Sequence, residues 1–442
     1  MASDDGFLWG VATAALQIEG AVDRDGRGRS IWEDFQDRPG TIAGGDTVAG
    51  GSHHYDHVAD DVALMRDLGV DAYRFSVAWP RVVPDGRGEV NPAGLGFYDR
   101  LVDELLAADI VPVVTLYHWD LPSTLQQEGG WTRRSTSEAF AAYVRVVAEA
   151  LGDRVRHFVT HNEPQVVSLV ANAEGVHAPG NRDVGTALAV AHELLVSHGM
   201  AMHEIREVAP QAQAGITLDI NVVAPADPED PEHVAAARML DGQVARWFLD
   251  PVMGHGYPDD VVAWYGDLAP RPTDDELALM ATPTDFTGLN YYRRDTVTPA
   301  DPDDWAAARP VARDVPTTAM GWEIHPQGLS ENVRRVVEAG APQVMVTENG
   351  AAFDDVVTAD GRVPDDDRVA YLEAHVAEVQ RCRDEGLPLT GYFLWSLLDN
   401  FEWAEGYAKR FGIVRSQPDR WVRVPKDSYR WYRDHLASRH GD

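Results

Sequence analysis

Two glutamates stand in settings that suit a reacting carboxyl group. Glu348 closes the run Gln343-Val344-Met345-Val346-Thr347, which is mostly apolar and β-favouring, and Asn349-Gly350 follow it. Glu163 follows Thr160-His161-Asn162 and precedes Pro164. A buried strand that runs into a glutamate places a charge where strand meets loop. Carboxylates are rarely buried without a partner, because desolvating the charge is costly. Two such groups flanking one bond are what glycoside hydrolysis uses: one held protonated to donate to the leaving oxygen, the other kept ionised to attack. Taken singly, either glutamate would serve equally well in a structural ion pair. The other strand-like runs shift the balance. One leads to Gln17 and Glu19, one carries Arg74, one ends in His118-Trp119-Asp120, one in Asn290-Tyr291-Tyr292, and one carries Trp395 ahead of Glu402-Trp403. Indole faces stack on the apolar faces of sugar rings, and amide and carboxyl groups give hydroxyls partners of fixed geometry.

The elements that must position these residues can be read from periodicity. Short β-favouring runs occur at 7–12, 72–77, 111–117, 155–160, 214–220, 286–292, 344–347 and 391–397, with amphipathic helical patterns at 55–68, 98–106 and 137–151 among the segments between them. Strand–helix alternation with near-continuous apolar strands predicts a parallel sheet. Eight such units predict a single α/β domain spanning 1–442, a (β/α)8 TIM barrel whose active site lies at the C-terminal ends of the strands. A doubly wound sheet fits less well, since no phosphate-type glycine loop follows the first strand; Gly26-Arg27-Gly28 reads as a surface turn. Segments 20–51 and 299–321 are longer than ordinary connections and are expected to form functional loops over one face.

Composition narrows the partners. The chain has 442 residues and a formal net charge of −33, and its only lysines are Lys409 and Lys426. So acidic a surface repels polyanions, which argues against nucleic acid. The Asp-rich, Lys-poor balance fits either a high-salt adaptation or a coding bias, and stability that rises steeply in molar salt would mark the first. Residues 1–6 show no basic segment or apolar stretch of a leader, no run of eighteen apolar residues suggests a membrane span, and Cys382 is the single cysteine, so a cytoplasmic enzyme is expected. His53, His54 and His57 have no second cluster of ligands, so no metal and no cofactor is expected. Oligomeric state stays open.

Read together and in order, these motifs closely resemble glycoside hydrolase family 1, the β-glucosidase family of retaining enzymes. The matching pieces are Phe7-Leu8-Trp9-Gly10 with Gln17-Ile18-Glu19-Gly20; Tyr73-Arg74-Phe75-Ser76; Tyr117-His118-Trp119-Asp120-Leu121-Pro122; Thr160-His161-Asn162-Glu163-Pro164; Gly288-Leu289-Asn290-Tyr291-Tyr292; Thr347-Glu348-Asn349-Gly350; and Trp395 through Trp403. The resemblance implies a small-molecule β-glycoside substrate. It implies Glu348 as nucleophile and Glu163 as acid/base, with carboxyl groups about 5–5.5 Å apart. It further implies Asn162 at the sugar 2-hydroxyl, Tyr292 and Arg74 keeping the nucleophile ionised and aimed, and Asn290 in support. Gln17, His118, Trp119, Glu402 and Trp403 would bind the non-reducing-end sugar, Trp395 would form its stacking floor, and Trp322 a platform for the leaving group.

The chain departs from the family pattern at Asp219, where Asn is expected, with Asn221 close by to compensate. Two other readings share the barrel. A 6-phospho-β-glycosidase carries Ser near Glu402 and Tyr near Phe411, beside a Lys matching Lys409; here Glu402 would repel a phosphate and Phe411 has no hydroxyl. A catalytically silent sugar-binding protein would lack one of the two glutamates. Gln17, Glu402 and Trp403 accommodate glucose or galactose alike.

Overall fold

The computed structural model describes residues 6–301 and 304–439; the leader reading of residues 1–5 and two positions of the 299–321 excursion lie outside them. Eight parallel strands close on themselves: β1 (Leu8–Ala12), β2 (Ala72–Ser76), β3 (Val111–Tyr117), β4 (His157–Asn162), β5 (Gln213–Asp219), β6 (Phe286–Asn290), β7 (Val344–Asn349) and β8 (Leu389–Trp395). Each pairs with its neighbours in sequence, and β8 returns to β1 with Leu8 opposite Gly391 and Ala12 opposite Trp395. This is the predicted (β/α)8 barrel.

The period of two along each strand decides what fills it. Leu8, Ala72, Val113, Val159, Phe286, Met345 and Phe393 form one buried cluster, the barrel interior. Trp9, Tyr73, Val114, Phe158, Val346 and Leu394 belong to a second, larger cluster shared with the surrounding helices. Gly10 is required by this packing, because a Cβ there would collide with the Phe393 ring and the Ala72 carbonyl.

The helical periodicity locates three outer helices but misjudges their starts. They run Val58–Leu68, Pro92–Ala107 and Arg134–Leu151. Residues 54–56 form a separate turn before the first, since His57 is not helical. The second begins earlier than the pattern suggests because Gly94 and Gly96 blur it, while the Asn91 side chain accepts from Ala93 N and Pro92 supplies the first-turn φ.

The larger departure lies beyond β5 and β6. Strands Val222–Pro225, Arg294–Pro299 and Ala308–Pro310 make a small separate sheet, and the helix Pro231–Asp241 packs on it. Ala236, Ala237, Val297 and Ala308 form its own core. The excursion expected at 299–321 is therefore one part of a larger wall that draws in 222–241 and 294–310.

A buried charge network anchors the loop after β8. Lys426 pairs with Asp399 at 2.7 Å and with Asp355; Arg368 pairs with Asp355 at 3.1 Å and with Asp365. All of these side chains are almost wholly buried. Removing one member leaves uncompensated charge in the interior, so Lys426→Met is expected to lower unfolding stability by about 3–5 kcal/mol. Denaturant midpoints at constant pH check this; an unchanged midpoint would show that Arg368 alone neutralises the cluster. Among the described residues no helix is long and apolar enough to cross a membrane.

Candidate active site

The barrel mouth is built from strand ends with irregular geometry. Register between β4 and β5 slips between Val159 and Asn162, and between β7 and β6 it slips between Val346 and Glu348. Such slips re-aim the side chains that follow. Glu163, one residue past β4, has φ +50°, while Trp119 and Trp403 have φ +76° and +50°. A non-glycine residue held in the left-handed region costs on the order of 1–3 kcal/mol and persists where its surroundings fix it. For Glu163 the fixing contact is its N–H donating to Thr217 O at 2.9 Å. Gly350, just past β7, is required by space instead: a Cβ there would run into the Trp395 carbonyl oxygen.

Glu348 lies within β7 and is 3% exposed. One of its oxygens accepts from Arg74 Nη1 at 2.5 Å and the other from the Tyr292 hydroxyl at 2.5 Å. Burial, followed by the Glu348 carboxylate, holds the Tyr292 phenol well above its ordinary pKa, so it remains a donor. Arg74 Nη2 donates to Asn162 Oδ1 at 2.6 Å, and Asn290 Nδ2 donates to the same oxygen at 3.1 Å and to Glu163 Oε1 at 2.6 Å. Thr347 fixes Asn290 by donating to its Oδ1 at 2.8 Å. The two glutamates are thus joined through Arg74, Asn162 and Asn290.

Their electrostatic settings differ. Burial pushes Glu163 well above the usual carboxyl range, and the carboxylates of Asp219 and Glu348 push it further, against the opposing pull of the Asn290 hydrogen bond and Arg74. Glu348 has a guanidinium and a phenol donating directly to it. One carboxyl group is set to hold a proton, and the other is gripped by a guanidinium and a phenol.

These residues face a cavity of about 330 Å3. Of the residues expected from the sequence, His118, Trp119, Glu163, Tyr292, Trp322, Glu348, Trp395, Glu402 and Trp403 line it. Gln17, Arg74, Asn162 and Asn290 lie fully buried behind that lining. His118 is stacked between Trp395 and Trp403, 5.9 Å from each. Its Nε2 accepts from Asn162 Nδ2 at 3.2 Å, and burial together with Arg74 keeps the ring neutral, which leaves Nδ1 as the protonated nitrogen with no protein partner. Gln17 Nε2 donates to Asn400 Oδ1 and the Phe401 carbonyl, while its Oε1 is unpartnered, as is Glu402 Oε2. Burial, with Glu348 and Glu405 adding to it, pushes Glu402 up to about 8. Buried donors and acceptors left unmatched by the protein mark where a polar, hydroxylated ligand would bind. From the 20–51 segment, Trp32 in the helix Ile31–Gln36 supports Trp403 at 4.7 Å.

Asp219 also lines the cavity. Burial lifts it to about 6, with Arg293 pulling the other way. Asn221 donates to Asp219 Oδ1 at 2.7 Å and accepts from the backbone N–H of Tyr292 and Arg293, so it ties the β5 and β6 exits together. His177, Met320 and Arg293 are lining residues that the sequence did not single out. Arg293 follows Tyr292 directly and could have been suspected on that ground; its guanidinium lies 5.0 Å from the Trp322 ring centroid and donates to Asp295 at 2.8 Å.

Comparison with known proteins agrees with this geometry. The family model described as Glycosyl hydrolase family 1 matches residues 3–441. The chain is 46% identical to beta-glucosidase A of Thermotoga maritima over 431 residues, covering 97% of this chain and 96% of that protein. It is likewise 46% identical to the 1,4-beta-D-glucan glucohydrolase of Thermotoga neapolitana, with 97% and 96% covered. A solved family 1 β-glucosidase from Thermotoga maritima superposes with a TM-score of 0.96 at 45% identity, over 99% of each chain.

Proposed function

We propose, proceeding from the fact that this chain belongs to glycosyl hydrolase family 1 and is a glycoside hydrolase, that it is a retaining β-glucosidase acting on terminal non-reducing β-D-glucosyl residues. The observation that carries the reading is the opposed pair: Glu348 held by Arg74 and Tyr292, and Glu163 kept protonated by burial and by neighbouring negative charge. A buried acid beside a stabilised carboxylate suits double displacement. In the first half Glu163 protonates the leaving oxygen while Glu348 attacks the anomeric carbon. Forming the glycosyl ester consumes the Glu348 charge, which removes one of the negative charges that kept Glu163 protonated. Glu163 then ionises more readily and takes a proton from the attacking water. We assign His118 and Glu402 on the lining, and Gln17 and Asn162 from just behind it, to the sugar hydroxyls, Asn162 to the 2-hydroxyl, with Trp395 and Trp403 supplying ring faces. Trp322 stands on the leaving-group side. We place the enzyme in the cytoplasm, where a chain with one buried cysteine needs no oxidising chemistry.

Unphosphorylated sugars suit the site better than 6-phospho sugars. Five acidic side chains line the cavity, Asp219, Glu348 and Glu405 with Glu163 and Glu402, the last two held protonated by burial, and Arg293 is the one lysine or arginine among the described lining residues to meet a phosphate. Lys409 Nζ donates to the Ala319 carbonyl at 2.6 Å and is not among the lining residues. The test is proton NMR of an aryl β-glucoside and of its 6-phosphate with the purified enzyme. The plain glucoside is expected to turn over, with β-glucose appearing before mutarotation. α-Glucose first would remove the retaining mechanism, and turnover of the phosphate alone would reverse the assignment of Glu402 and Phe411.

The Asp219 departure has a consequence of known sign. Above about pH 6 its carboxylate is charged and helps hold the proton on Glu163. In Asp219→Asn that charge is gone, so Glu163 ionises at lower pH and the alkaline limb of kcat/KM moves down. At low pH, where Asp219 is already protonated, the two enzymes converge. A pH–rate profile checks it; an unmoved alkaline limb would mean that Asp219 does not act on Glu163.

A further inference from the structure

The two lysines of the chain sit in opposite settings. Lys426 is wholly buried and paired with Asp355 and Asp399. Lys409 is partly exposed, and among the described residues no carboxylate pairs with it, although the chain carries 71 acidic residues. Its Nζ donates instead to the backbone carbonyl of Ala319 at 2.6 Å. That carbonyl belongs to a turn in which Thr318 N donates to Trp322 O and Gly321 N to Thr318 O, each at 2.9 Å. Ala319 N donates to Ala352 O at 2.9 Å, so Ala319 is held on one side by the chain just past β7 and on the other by Lys409. The turn presents Met320 and Trp322 to the cavity. The Trp322 ring leans on Tyr292 and Phe411, with centroids 5.4 and 5.9 Å away. Lys409 lies between Glu402 and Phe411 in sequence, so one ammonium ties the loop after β8 to the turn that carries Trp322. A charged donor makes the stronger kind of hydrogen bond.

We propose that Lys409 is a positioning residue that clips the Trp322 turn to the loop after β8, and that its amine is a modification site whose acylation opens the clip. This rests on the glycosidase reading above, with Trp322 on the leaving-group side; Lys409 acts through that ring and touches no reacting atom. The acyl donor is an acyl phosphate. The unprotonated amine attacks the acyl carbon, the N–C bond forms, the C–O bond to phosphate breaks, and phosphate leaves with the bonding electrons and takes up the amine proton. The product amide is neutral and keeps one N–H where the ammonium had three. Its acyl group must also be housed beside the Ala319 carbonyl. Lys426 is closed to the same chemistry by its burial.

Two substrates separate the clip from general loosening. 4-Nitrophenyl β-glucoside carries a ring that reaches Trp322, whereas the leaving atom of β-glucosyl fluoride is too small to do so. In Lys409→Met, kcat/KM on the aryl glucoside relative to the fluoride is expected to fall at least roughly fivefold, the effect of losing one hydrogen bond from a charged donor. In Lys409→Arg, which keeps a charged donor, the ratio is expected to stay near that of the wild type. Acetyl phosphate tests the modification. Peptide mass spectrometry is expected to find the acetyl group on Lys409 and not on Lys426, with the aryl rate falling in step with the fraction modified while the fluoride rate holds. Lys409→Arg treated in the same way is expected to keep its aryl rate. Equal losses on both substrates, an unchanged ratio in Lys409→Met or after acetylation, or no acetyl group on Lys409 overturns the inference. Failure of the untreated wild-type enzyme on both substrates removes the parent reading instead. If Lys409→Met does not fold, acetylation of the folded wild-type chain decides the question.

Discussion

Glu348→Gly is expected to lower kcat on an aryl β-glucoside by roughly five to six orders of magnitude, the scale on which removal of a covalent nucleophile acts. The loss of rate is chemical, because the strand end that carries the residue is held independently of its carboxylate. The carboxylate sits at the end of a rigid strand, and Asn349 remains held by its own bonds to the Tyr291 carbonyl and the Tyr371 hydroxyl. The substitution also leaves Arg74 Nη1 and the Tyr292 hydroxyl without their acceptor. A small anion that enters the vacated space is therefore stabilised by the donors that held the carboxylate. Added azide should attack the anomeric carbon from that face and yield an α-glucosyl azide, identifiable by its anomeric coupling. Near-normal hydrolysis by the variant, or an azide product of β configuration, would exclude Glu348 as nucleophile.

The second large effect is on Glu163. General acid catalysis contributes roughly 10²–10⁴-fold, and Glu163→Ala is expected to lose that factor for alcohols that leave poorly. With an activated leaving group such as 2,4-dinitrophenolate, the first step needs little protonation, so glycosyl-enzyme should accumulate and show as a burst. Azide then meets an intermediate whose base is missing and should give the β-glucosyl azide. The alkaline limb assigned to Glu163 should also vanish from the pH profile of the activated substrate. If the limb persists in Glu163→Ala, another group carries the proton.

How much of this was legible in the sequence depends on what kind of signal each feature leaves. Barrel strands could be read because a strand covered on both faces must be apolar almost throughout, and all eight were located to within a few residues. Glu348 announced itself as a charge at the end of such a run. Glu163 was harder, since it lies one residue past β4 in a left-handed conformation that no residue type there requires. The same holds for Trp119 and Trp403: tertiary contacts impose their backbone angles, and sequence propensity carries no trace of them. Gln17 and Asn290 were assigned their roles through family resemblance, and the structure leaves them behind the cavity lining. The wall beyond β5 and β6 was mostly missed because its strands are three to six residues long and partly exposed, too short for periodicity to register. Lys426 gave no signal at all: a lone lysine reads as a surface charge until its aspartates are brought to it from distant parts of the chain.

The small sheet and the helix on it, with their separate core of Ala236, Ala237, Val297 and Ala308, have a consequence for how such an enzyme diversifies. The groups assigned to bond cleavage hang on β2, β4, β6 and β7 and on one another, so drift there is penalised at once. The wall keeps its own packing and touches them chiefly through Asn221 and Arg293. Residues 222–241 and 294–310 are therefore expected to accept exchange as a unit with the reacting carboxyls left in register, provided the Arg335–Asp241 ion pair that ties the helix to the barrel is kept.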